Sequence, residues 1–140
     1  MKKISKKILL TLTIFSLLIM ISCDDFPAFE GSYYGTIIKV LHPSEDFPDE
    51  TTCSVDITRS FKDITITYNY ESRYYSLSGT IDKQGNFTVE NTSIYDGTTV
   101  VQMDIGTITY SMGKYISTLT ESHNGVEIMR LELDLQKLFD

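Results

Sequence analysis

The chain has no tryptophan, two cysteines and two histidines in 140 residues, and each scarcity removes a class of chemistry. His42 precedes a proline and His123 lies next to an Asn-Gly pair, so both read as solvated loop residues rather than as a general base. Neither His-Glu-x-x-His nor clustered cysteine is present to hold a metal. The Gly-x-Ser-x-Gly elbow of serine hydrolases is also missing, as are phosphate-cradling glycine loops. No catalytic residue, cofactor or metal site is therefore read from the sequence. The acidic pairs Glu45-Asp46 and Asp49-Glu50, in a loop marked by Pro43 and Pro48, are the cation candidates. Adjacent carboxylates in such a loop read as solvated charge instead.

Basic side chains are scarce too, and four of the 12 fall within the first seven residues. Lys2, Lys3, Lys6 and Lys7 precede an uncharged run of 14 residues, Ile8 to Ile21, which Ser22 and Cys23 close. Charged, apolar, small is the order of a secretory signal peptide. A membrane-spanning helix would need about 20 apolar residues. With cysteine at the cleavage point, Met20-Ile21-Ser22-Cys23 resembles the lipobox of a bacterial lipoprotein. The resemblance implies that residues 1–22 are removed and that Cys23 is acylated. The mature protein is then tethered to a membrane through residues 23–30, whose seven residues after the cysteine reach at most about 25 Å. Asp24 and Asp25, an acidic doublet directly after that cysteine, suggest the outer membrane or the cell surface rather than the inner membrane.

Removing that segment takes four bases and no acid, leaving 8 Lys+Arg against 19 Asp+Glu and a formal net charge of −11. An acidic surface repels phosphates, which argues against nucleic acid and against an anionic bilayer as a partner of the protein surface. Acylation would also leave Cys53 without an intrachain partner. It shares parity with Val55 and Ile57 and reads as a small buried apolar side chain. Without lipidation, a Cys23–Cys53 disulfide becomes the alternative.

From residue 31 the texture is β throughout. Ile64, Ile66, Tyr68 and Tyr70 alternate with Asp63, Thr65, Thr67 and Asn69, and Met129, Leu131, Leu133 and Leu135 alternate likewise along the last strand. Period two is the mark of a half-buried strand. Strands are expected at 32–41, 51–59, 63–71, 74–82, 86–92, 98–109, 115–121 and 126–136. Short turns separate them, Asn124-Gly125 being the strongest type I′ signal. Parallel pairing would need long crossovers that the sequence does not supply. The expected fold is an all-β, eight-stranded antiparallel up-and-down meander over residues 31–140, closed as a small barrel, with a β-sandwich as the alternative.

Gly-Thr-Ile recurs at Gly35, Gly79 and Gly106. Glycine inside a strand marks a bulge, a bend or a close backbone approach. At Gly106 a bulge is expected, because Val101, Met103 and Ile105 share one parity and Ile108 has the other. The opening Gly31-Ser32-Tyr33-Tyr34-Gly35, the Leu77-Ser78-Gly79-Thr80-Ile81 segment before Gly85-Asn86-Phe87, and the amphipathic last strand with Arg130 together resemble the lipocalin-like domains of small bacterial lipoproteins. That resemblance implies a barrel around a small apolar or amphipathic ligand.

Nine tyrosines are the remaining excess. Tyr68, Tyr70, Tyr75 and Leu77 should face inward from adjacent strands, either lining a ligand pocket or packing a core in place of tryptophan. Two functions follow from these two readings. One is an envelope-anchored binder of a small apolar ligand. The other is an interaction or structural protein with a filled barrel, contacting another envelope protein or polysaccharide. An enclosed cavity of at least about 300 Å³ would favour the binder.

Overall fold

The computed structural model describes residues 26–138, so the signal segment, Cys23 and the Asp24-Asp25 doublet lie outside the described residues. Alternating side chains and short turns give eight strands: β1 (Gly31–Leu41), β2 (Glu50–Ser60), β3 (Asp63–Tyr70), β4 (Arg73–Ile81), β5 (Asn86–Tyr95), β6 (Thr98–Thr109), β7 (Lys114–His123) and β8 (Val126–Lys137). Each pairs antiparallel with the next, and β8 returns to β1 to close the barrel, which excludes the sandwich. The hairpin geometry follows from local chemistry. Glu71-Ser72, Asp96-Gly97 and Asn124-Gly125 all take positive φ at both central positions, the type I′ turn whose twist matches that of the flanking strands. All three lie at one end of the barrel, with the loop between β1 and β2; we call this the far end. Residues 26–30 and the β2–β3, β4–β5 and β6–β7 turns lie at the opposite, entry end.

Parity is kept along most of the wall. Ile64, Ile66, Tyr68 and Tyr70 of β3 are buried, as are Met129, Leu131, Leu133 and Leu135 of β8. The bulge expected at Gly106 is absent. β6 runs in unbroken register with β5 and β7 through that residue, and the register shifts fall instead between Lys39 and Leu41 and between Glu121 and Ser122, both against β8. The parity conflict is resolved in the opposite way: Asp104, Gly106 and Ile108 turn inward, and Ile105 turns out, half exposed.

The Gly-Thr-Ile recurrence marks close approach rather than turning. A Cβ on Gly79 would lie 2.0 Å from the Thr88 carbonyl oxygen, and one on Gly106 or Gly35 2.3 Å from the carbonyl oxygen of Ile116 or Asp134. Adjacent backbones press together at these three points, and the isoleucine two residues on is buried each time.

One seam is short. β4 and β5 pair only from Ser78 opposite Glu90 to Ile81 opposite Phe87, whereas β5 and β6 pair along all of Asn86–Tyr95. Arg73 to Leu77 and Asn91 to Tyr95 therefore each leave one edge unpaired on the two sides of a slot that opens at the far end.

Candidate functional site

The four residues read as a ligand site do converge inside the barrel. Tyr68, Tyr70 and Leu77 are buried and Tyr75 is half-buried, on β4 where β5 has departed. The register places Tyr68 opposite Tyr75 and Ile66 opposite Leu77. The rings meet one another: Tyr68 stacks on Tyr75 at 5.2 Å between centroids, Tyr75 meets Tyr70 edge-on at 6.2 Å, and their hydroxyls are 3.2 Å apart.

A residue with no apolar signal organises them. Asp104, fully buried on β6, accepts hydrogen bonds at Oδ2 from the Tyr68 hydroxyl at 2.6 Å and the Tyr115 hydroxyl at 2.5 Å. Loss of hydration raises the carboxyl pKa, while the hydrogen bonds from the two phenols pull it back by favouring the charged form. Its second oxygen, Oδ1, and Ser117 Oγ have no partner within hydrogen-bond distance. Burial likewise pushes the Tyr68 and Tyr115 hydroxyls well above the ordinary phenol value, with Asp104 adding to the shift. Both remain neutral donors.

From Asp104 a column of rings extends both ways. Towards the far end, Tyr70 meets Phe47 edge-on at 6.3 Å, and His42 stacks on Phe47 at 4.1 Å. His42 is thus a half-buried lid residue whose Nδ1 accepts from the Ser44 amide, and its pKa falls mainly through burial, contrary to the solvated reading. Towards the entry end, Tyr115 contacts Phe87 at 5.1 Å and Tyr33 at 5.9 Å, and the Tyr33 hydroxyl donates to the Phe29 carbonyl at 3.0 Å. Phe29, itself buried, closes that end against Tyr110 and Phe26. The interior is therefore occupied by the chain's own side chains. Two open grooves, of about 840 and 460 Å³, lie outside, over β4 to β6 near the entry end and over β6, β7, β8 and β1.

No family model, curated protein or solved structure matches this chain.

The other candidates separate. Cys53 is buried, and burial pushes its thiol up to about 12, so it is inert at neutral pH. His123 ends β7 and hydrogen-bonds Glu121 at 2.8 Å, which Gln102 also engages, so it too is no bare loop residue. Of the acidic loop, Asp49 pairs with Lys39 at 2.9 Å. Among the described residues no group of three or more His, Cys, Asp or Glu side chains gathers to hold a metal. Arg130 is outward and bound to Glu127, while Lys137 stands opposite Tyr33 in register.

Proposed function

We propose that the protein is a non-catalytic, lipid-anchored interaction protein of the cell envelope, displayed on the outer membrane or cell surface. Its lipocalin-like barrel is filled rather than hollow. The observation that carries this reading is the continuous interior column centred on Asp104, which occupies the volume a small apolar ligand would need. Of the two functions open to an eight-stranded barrel, a packed core supports the interaction protein. What remains for a partner is the outer surface. The far end is the natural side for it, because the tether leaves from the entry end and the slot and hairpin tips point away.

Two measurements on the full chain test this. A neutral apolar fluorophore such as N-phenyl-1-naphthylamine should show no saturable uptake by wild type. Saturable uptake lost at least about tenfold in Tyr68→Ala and Tyr75→Ala, roughly 1.4 kcal/mol in affinity, with the fold intact would overturn the reading in favour of a binder. Labelling with a palmitate analogue should be abolished by Cys23→Ala. Equal label in both proteins removes the anchor from the proposal.

A further inference from the structure

We propose that the entry end of the barrel is a bilayer-seating surface whose apolar side chains insert at the lipid–water interface. This rests on the lipid-anchor reading. The occupant is fixed by chain length: Phe26 is three residue steps from Cys23, so the barrel end lies within about 11 Å of an acylated Cys23.

Three observations say that this end makes contact. First, it carries exposed apolar side chains. Phe61, Tyr110, Met112 and Leu138 are 55–63% exposed, and Phe26 joins Phe61 at 6.0 Å and the Phe29 ring at 6.3 Å. Aromatic and apolar groups of this kind partition into the headgroup boundary. Second, Phe61 takes a φ of +58° in the β2–β3 turn. A bulky residue there is an outlier, where glycine would sit without strain. Its ring is 63% exposed and adds little to the core, so the strained position serves a ring directed outward.

Third, the charge is divided between the two ends. Arg59, Lys62, Lys83, Lys114 and Lys137 stand at the entry end against Glu30, Asp63, Asp82 and Asp134, the last paired with Lys114 at 3.2 Å. Counting Asp24 and Asp25 of the tether brings that end to −1, five bases against six acids. The far end sets eight carboxylates, four of them from Glu45 to Glu50, against Lys39, Arg73 and Arg130, which pairs with Glu127. It also exposes apolar groups, among them Ile94 and Tyr95, but it is repelled by an anionic surface and the tether leaves from the other side. Of the net charge of −11 that argued against bilayer contact, the far end thus carries −5 and the entry end −1.

The absence of tryptophan makes the test direct. The full acylated chain, as Phe61→Trp and separately as Tyr95→Trp, is reconstituted in phosphatidylethanolamine–phosphatidylglycerol vesicles containing a brominated phosphatidylcholine, and acylation is read from the intact mass. Seating at the interface predicts that Trp at 61 loses about half its emission to the brominated lipid and shifts to the blue, while Trp at 95 is unchanged. Tyr110→Trp repeats the measurement at a second site if Phe61→Trp misfolds. An acylated protein whose entry-end tryptophan is quenched no more than that at 95 overturns the seating and leaves the anchor standing. An unmodified Cys23 in the wild-type mass overturns both.

Discussion

Asp104 is the residue on which most of the interior depends, and it is the one the sequence conceals. A carboxylate facing inward contradicts hydrophobic patterning. Its only trace was the parity clash between Ile108 and the Val101, Met103, Ile105 set, which a bulge would also have explained. Tyr68, Tyr70 and Tyr75 were legible because they continue the Ile64 and Ile66 parity. Their partners Tyr115 and Phe47 were not, since pairing across a barrel is set by closure and not by neighbours in sequence. Truncating Tyr68 to Ala should cost about 3–5 kcal/mol, by analogy with other buried rings, and denaturant unfolding measures it. Asp104→Ala should cost about 1–3 kcal/mol for each tyrosine hydroxyl left unpaired. Acidity gives a sharper test. Burial raises the Asp104 pKa above its unfolded value of about 3.9, so the folded state binds the proton more tightly than the unfolded chain. Wild type should therefore gain stability relative to Asp104→Asn as the pH falls below the folded pKa, with no further gain once the pH is below about 3.9. A difference that shrinks on acidification would mean the carboxylate is better solvated in the fold than in the unfolded chain.

At the scale of the strand, alternation was enough to place all eight elements within three residues of their observed ends. The two longest discrepancies lie at the end of β5 and the end of β7, where the exposed Ser93 to Tyr95 and the half-buried Ser122 and His123 extend their hairpins beyond the core. Core burial does not announce such residues; the type I′ turns that follow them do. The parity of β8 makes a direct prediction. Leu131→Asp places an unpaired charge in the interior and should prevent folding, whereas Glu132→Lys on the outer face should change stability by no more than about 0.5 kcal/mol. Thermal melts of the two variants decide it. Gly79→Ala tests the close strand approach. With a carbonyl oxygen 2.0 Å from the new Cβ, β4 and β5 must separate, and the cost should fall in the range of about 1–3 kcal/mol seen when well-packed cores are overfilled.

For the whole molecule, the closed ring with its entry and far ends was foreseeable as a class of architecture, because short turns permit little except a meander. The contrast between the two ends was not, since charge separation appears only when every second turn is brought to the same side. The short β4–β5 seam carries a consequence for cooperativity. A ring held by seven long ladders and one short one has a preferred place to come apart, and opening there turns a barrel into a curved ribbon without breaking any other strand pair. Such a partial opening has its own free energy, below that of global unfolding. Native-state hydrogen exchange should find the amides that bond across this seam, within Ser78 to Thr80 and Phe87 to Glu90, exchanging through a low-lying event with a shallow denaturant dependence, while amides bonded between β7 and β8 exchange only when the whole chain unfolds.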